Sequence, residues 1–211
     1  MLTSKTVQQF LDETASNSPA PGGGSVSAFA AALGAALTSM VCRLTIGKKK
    51  YADVQKEMEE LVKKSEALRA QFTSVIDEDT LAFNNVMQAF EMPKETDEQK
   101  SKRNATIQDA TKSATLVPLR LMELCEQAVA LTKTVAEKGS QNSISDTGVA
   151  ALLLQAAAKG AHLNVRINLG SIEDQAFGTK TSEASSRIAD TIDRIATEAL
   201  ASVVAKVSGI L

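Results

Sequence analysis

Apolar positions recur at steps of three and four along nearly the whole chain, and the breaks between these runs mark the elements. Val7, Phe10, Leu11 and Thr14 share one face of a first helix over Ser4–Ser16. From Val26 to Cys42 there is no charge and no proline, and alanine, the strongest helix former, dominates a central helix that ends near Ile46. A third stripe runs from Val54 through Met58, Leu61, Leu68, Phe72, Ile76 and Phe83 to Phe90, within a helix from Ala52 to Phe90. A fourth runs from Ile107 to Val135 and contains Pro118, which removes an internal hydrogen bond and predicts a bend. Alanine-rich Thr147–Leu169 and the narrow stripe Ala184–Val207 complete the series. The β-branched residues are scattered at helical spacing, and no hairpin dipeptide separates alternating runs. The expectation is an all-α fold, a single-domain helical bundle of six or seven long helices over residues 1–211. Its apolar surplus predicts a homodimer.

The central helix has almost no polar face, with small residues four apart at Ala30, Gly34 and Thr38 and at Ala31, Ala35 and Ser39. Such a segment is enclosed by other helices or crosses a membrane. Its uncharged run of about 17 residues is at the lower limit for a span and is only weakly hydrophobic, so close helix packing is the expectation.

The breaks carry the candidate chemistry. Asn17–Ser25 holds two prolines and the consecutive Gly22, Gly23 and Gly24, so it reads as a loop, with Ser25 as N-cap of the central helix. Free N–H groups and the dipole at that terminus suit an anion. At the other end Gly47 fits a C-cap, and Lys48, Lys49 and Lys50 either answer the negative end of the dipole or bind an anion themselves. Met92-Pro93 ends the third helix, and Lys94–Arg103 is a surface connection or the opening turn of the fourth. The polar loop Lys138–Asp146 predicts a cap at Ser145 or Asp146. Gly170-Ser171 breaks the chain again, and Phe177-Gly178 suggests one more interruption.

Charge and composition narrow the partners. With 23 basic against 25 acidic residues, 3% aromatics and no Trp, neither an electrostatic footprint nor a stacking platform for nucleic acid is present. Cys42 and Cys125 lie on apolar stretches and no secretory signal opens the sequence, which reads as reduced core thiols in a cytoplasmic protein. The single histidine, His162, has no Cys/His cluster or G-x-S-x-G elbow beside it, so neither a metal site nor a serine triad is expected.

Asp79 falls inside the third stripe, three residues after Ile76 and four before Phe83, whereas Asp77 and Glu78 can reach solvent. A carboxylate turned toward a core needs a partner or a raised pKa, so Asp79 is either half of a structural ion pair or an active-site acid. Asn164 and Asn168 project from one helix face, where amides either read a heterocycle or bridge helices.

Taken in order, Pro19-Ala-Pro-Gly-Gly-Gly-Ser25, Leu44-Thr-Ile-Gly-Lys-Lys-Lys-Tyr51, Asp77-Glu-Asp79-Thr-Leu-Ala-Phe83, Asn142 with Ser145-Asp146, and Asn164 to Asn168 resemble the formiminotetrahydrofolate cyclodeaminase / methenyltetrahydrofolate cyclohydrolase family over essentially the whole chain. The resemblance implies a helical, dimeric enzyme that binds folate near the subunit interface, with no metal or redox cofactor. Its substrate would be a tetrahydrofolate one-carbon derivative, and any formiminotransferase would be a separate chain. The first expectation is cyclising deamination of 5-formimino-tetrahydrofolate to the 5,10-methenyl compound. The alternative is hydrolysis of 5,10-methenyl- to 10-formyl-tetrahydrofolate, and a second alternative is a non-catalytic folate- or anion-binding module. On this reading Asp79, then Asp146, move protons. Gly22, Gly23, Gly24, Ser25, Lys48, Lys49 and Lys50 hold the glutamate tail. Asn142 is carried as a motif match, and Asn164 and Asn168 read the pterin. Thr80 departs from the small residue expected after the acid.

Overall fold

Sequence periodicity becomes structure as six α-helices in a computed structural model that describes residues 1–208, leaving 209–211 of the expected domain outside the described residues. They are α1 Val7–Thr14, α2 Gly23–Thr45, α3 Gln55–Phe90, α4 Asp97–Lys138, α5 Ile144–Leu169 and α6 Gln175–Ser208. Short 3-10 stretches lie at Leu2–Ser4, Lys49–Val54 and Gln141–Ser143. Thr6 and Thr96 start α1 and α4 through reciprocal capping with Gln9 and Gln99, which satisfies donors that a helix start otherwise leaves open. The fourth helix passes through Pro118 as one element, with the ring buried.

Central position goes to α2, as the lack of a polar face predicted. It packs along α3 on one side and α5 on the other, and α4 lies against α3, α5 and α6. Although α2 has the length and composition of a membrane span, with mean hydropathy 1.7, 56% of that apolar window is buried inside the bundle. Its small residues allow the close approach. A Cβ on Gly34 would lie 2.9 Å from Leu154 Cγ, and one on Gly160 would lie 2.3 Å from Ser27 Oγ. Gly23 faces Asn164 while Gly34 faces Leu154, so α2 and α5 run antiparallel. Hydroxyls lock the layers: Thr38 Oγ1 meets Thr132 Oγ1 at 2.8 Å, and Ser65 Oγ donates to Ala35 O at 2.8 Å.

Phe72, Met58, Leu121, Met122, Leu154 and Ile192 are the bulkiest fully buried side chains. Each adds about 1.5–3 kcal/mol by leaving water. Cys42 and Cys125 are free, buried thiols, and burial pushes both up, Cys42 to about 11.

Four expectations need correction. Helix α2 begins two residues before Ser25, so the N-cap position belongs to Gly22, which has no side chain to cap with. Likewise α5 starts at Ile144, which places Ser145 and Asp146 within its first turn, where Asp146 meets the dipole as a charge and does not act as a cap. Phe177-Gly178 does not interrupt α6: Asp174 Oδ1 accepts the Phe177 N–H at 3.0 Å and starts the helix just before it. On α1 only Phe10 of the expected stripe is buried, against Phe29 at a ring distance of 5.1 Å, while Val7 and Leu11 stay exposed.

Candidate functional site

At the N-terminal end of α2 the loop Pro19–Gly24, the second half of α3, Thr111 and Ala114 of α4 and the last turns of α5 enclose a cleft of about 440 Å³. Gly22, Gly23, Gly24, Asp79, Asn164 and Asn168 all line it. Residues separated by more than a hundred positions meet because α2 and α5 are antiparallel and α3 crosses the start of α2.

Asp79 is the centre of this site, and its environment departs from the ion-pair alternative. Among the described residues no lysine pairs with it; it is held by the start of α2. Its carboxylate accepts the Ser25 backbone N–H, and Ser25 Oγ lies 2.9 Å from Asp79 Oδ2. The same hydroxyl lies 2.9 Å from Ile76 O and 3.1 Å from Thr80 Oγ1, so one hydrogen is shared among competing acceptors while Thr80 can donate in return. Burial raises the Asp79 pKa, and the Ser25 side-chain and backbone hydrogen bonds pull it back part of the way. The carboxylate is half-buried, at the margin where the apolar stripe of α3 leaves the core.

This explains one of the three glycines. A Cβ on Gly24 would sit 2.0 Å from Asp79 Oδ1, so a side chain there would displace the carboxylate. The anion that meets the helix terminus is therefore supplied by α3.

On the opposite wall, Asn164 Nδ2 donates to Gly160 O at 2.8 Å and Asn168 Nδ2 donates to Ala114 O at 3.1 Å. Both amides are thereby anchored with Oδ1 still able to accept from a ligand. Between the walls, Phe83, Val86, Met87 and Phe90 continue the α3 stripe beyond the core and face the cleft. Sequence periodicity treated Phe83, Val86 and Phe90 as core positions. The stripe does persist in phase, but among the described residues it borders the cleft and is not covered by another helix. Arg103 fixes this end by donating from Nη2 to Phe90 O at 2.9 Å, with its guanidinium 5.6 Å from the Phe90 ring.

Lys48, Lys49, Lys50, Asn142 and Asp146 are elsewhere. They gather at the far end of α2, about 34 Å away at 1.5 Å per residue over its 23 residues. There Lys48 Nζ donates to Ser140 Oγ at 3.1 Å, Ser140 N–H donates to Thr45 Oγ1 at 2.8 Å, and Gln141 N–H donates to Tyr51 Oη at 2.8 Å. Asn142 and Asp146 follow directly at the start of α5. Within one chain these residues do not reach the cleft. His162 lies on α5 outside the cleft lining.

Comparison with known proteins places the arrangement. The family profile described as formiminotransferase-cyclodeaminase matches residues 6–187. A methenyltetrahydrofolate cyclohydrolase of Methylorubrum extorquens is 48% identical over 177 residues, covering 84% of this chain and 85% of that protein. The formimidoyltransferase-cyclodeaminase of Rattus norvegicus is 38% identical over 180 residues, 85% of this chain but 33% of that longer protein. The crystal structure of formiminotetrahydrofolate cyclodeaminase from Thermotoga maritima superposes with a TM-score of 0.88 at 29% identity, covering 98% of this chain and 100% of that one.

Proposed function

Since the chain belongs to the formiminotransferase-cyclodeaminase family, we propose that its cleft binds a tetrahydrofolate one-carbon derivative and hydrolyses 5,10-methenyl- to 10-formyl-tetrahydrofolate. The observation that carries this reading is a half-buried carboxylate of raised pKa, Asp79, facing two anchored amides across an apolar-floored cleft. A carboxylate able to take and return a proton, with acceptors for a hydrogen-bonding heterocycle, is what the reaction needs. The family resemblance put cyclodeamination first, though the sequence pattern does not separate the two activities. The 48% identical relative of matching length is named a cyclohydrolase, which supports the reverse order.

The chemistry follows from the carboxylate. Water adds through oxygen to the methenyl carbon while Asp79 takes one of its protons. Asp79 then returns a proton to N5 as the C–N5 bond opens, and the remaining hydroxyl proton leaves to solvent as the formyl C=O forms. The substrate's positive charge is favoured by the ionised Asp79 beside it. Asn164 and Asn168 accept from the pterin, and Phe83 and Phe90 offer a face to the aminobenzoyl ring. Cyclodeamination of the formimino compound is the second reading, favoured by the full-length likeness to the Thermotoga maritima cyclodeaminase. There N10 attacks the formimino carbon and the same acid protonates the departing ammonia.

The deciding experiment is near-UV absorbance with each substrate separately. Loss of the methenyl chromophore faster than the uncatalysed rate supports the first reading. Its appearance from the formimino compound supports the second. No change with either, while folate still binds, replaces both with a binding module.

A further inference from the structure

Helix α4 contains one proline, and that position leaves one carbonyl without its usual donor. In an α-helix the N–H of a residue binds the carbonyl four positions earlier, so Pro118 withholds a hydrogen bond from Ala114 O. The pyrrolidine ring also crowds that carbonyl and pushes it outward. The freed oxygen takes its partner from another helix: Asn168 Nδ2 of α5 donates to Ala114 O at 3.1 Å. A carbonyl oxygen only accepts, so it admits the nitrogen of the amide and repels the oxygen. Asn168 Oδ1 is thereby left for the cleft that both residues line. Asn164, one turn earlier on the same wall, is held less exclusively. Its Nδ2 donates to Gly160 O at 2.8 Å, an acceptor that the helical pattern of α5 already assigns to the Asn164 backbone N–H. Elsewhere on this stretch of α4 the helix's own hydroxyls reach back to carbonyls, Thr111 Oγ1 to Ile107 O and Thr115 Oγ1 to Thr111 O, both at 2.7 Å. Ala114 O is reached instead from α5.

We propose that Pro118 is a positioning residue for the cleft: by withholding its N–H it creates the carbonyl that locks the Asn168 amide, and so makes this wall an acceptor that selects ligands presenting an N–H. With an ordinary residue at position 118 the Ala114 carbonyl would be satisfied within α4. The Asn168 amide would then turn between two orientations, offering an acceptor in one and a donor in the other. A ligand would meet the wrong orientation part of the time, and binding would bear the cost of immobilising the side chain. Pro118 is buried and does not line the cleft, so it reaches the ligand through Asn168. The ligand's identity as a tetrahydrofolate derivative, whose pterin carries several N–H donors, rests on the folate reading; the link from Pro118 through Ala114 to Asn168 does not.

Stability and kinetics test the two parts separately. In the wild-type background Asn168→Ala strips Ala114 O of its side-chain donor and should lower Tm by about 3 °C. In a Pro118→Ala background, where a backbone N–H takes over, the same substitution should leave Tm unchanged. Pro118→Val restores the N–H while filling the space of the ring, and it should give the same cancellation, which separates the hydrogen bond from any cavity left by alanine. An equal Tm loss in all three backgrounds overturns the link. With whichever folate the chain turns over, Pro118→Ala and Pro118→Val should raise KM about 3–10-fold and leave kcat within about twofold. Neither should raise KM further in the Asn168→Ala background. A KM that rises as much there, or that never rises, overturns the positioning role and leaves Pro118 as a bend in the helix. A wild-type chain that neither binds nor turns over either folate defeats the folate reading alone. The Tm cycle then still judges the link, together with NMR hydrogen exchange of the Asn168 side-chain amide, which should be slower in wild type than in Pro118→Val; equal exchange overturns the lock.

Discussion

The two ends of α2 deal with the same helix dipole in opposite ways. At the N-terminus the positive end meets a carboxylate from the protein itself, Asp79, which Gly24 admits and Ser25 binds. At the C-terminus Gly47, at φ +80°, turns the chain and Lys48–Lys50 follow on the surface. Lys48 reaches Ser140 and Lys50 lies 5.7 Å over the Tyr51 ring, and among the described residues none of the three forms an ion pair. One end has its charge answered internally, by a carboxylate whose pKa burial raises. The other leaves three exposed cations without an ion-pair partner among the described residues. A glycine-flanked helix start is therefore not by itself an anion site; what matters is whether the fold has already filled it.

Removing the internal anion should have the largest effect. Asp79→Asn keeps the acceptor for Ser25 but cannot exchange a proton, so turnover should fall by about 10²–10⁴-fold with folate affinity retained, as read by steady-state kinetics and titration. Its stability should move the other way. Because the folded pKa lies above the ordinary 3.8, the cost of ionising Asp79 is absent below that value and complete once pH exceeds the folded pKa. At neutral pH the Asn variant should thus melt no lower than wild type, and a clear drop in Tm would show that the carboxylate stabilises the fold.

Gly24→Ala attacks the same end through geometry. The added methyl occupies the place of Asp79 Oδ1, and overpacking of this kind costs about 1–3 kcal/mol, so both Tm and turnover should fall, the latter roughly 10²-fold.

At the cationic end, Lys48→Gln/Lys49→Gln/Lys50→Gln should raise KM for a polyglutamylated substrate about 10-fold, with kcat and Tm little changed, since these side chains are exposed. The wild-type KM should rise with salt and the variant's should not. An equal loss in kcat would move the lysines into the chemistry.

Ser25→Ala should produce the smallest change and the most informative one. It removes a hydrogen bond that favours ionised Asp79, so the acid limb of the pH–rate profile, where turnover falls as the base is protonated, should shift to higher pH. A limb that stays put would assign it to another group.

Much of the fold was legible because each long helix carries its burial pattern in its own spacing. Even α2, whose apolar faces admit two interpretations, was read correctly as central from its small residues. Asp79 could be singled out because a charge in phase with Ile76 and Phe83 needs a reason. The helix starts at Gly23 and Ile144 were missed by two or three residues, since the early turns are made by backbone contacts and lack capping side chains. Phe83, Val86 and Phe90 kept helical phase, yet phase does not say whether a stripe ends against a core or a cleft.

Local periodicity, which depends only on residues three and four apart, determined the helices, the buried glycine contacts available to them and the identity of the unusual acid. The pairing of Asp79 with Ser25 and the separation of the lysines from the cleft depend on the antiparallel course of α2 and α5 and on where α3 crosses them. Those relations join positions far apart in the chain, so no local spacing encodes them, and only the packed tertiary structure decides which chemistry meets which.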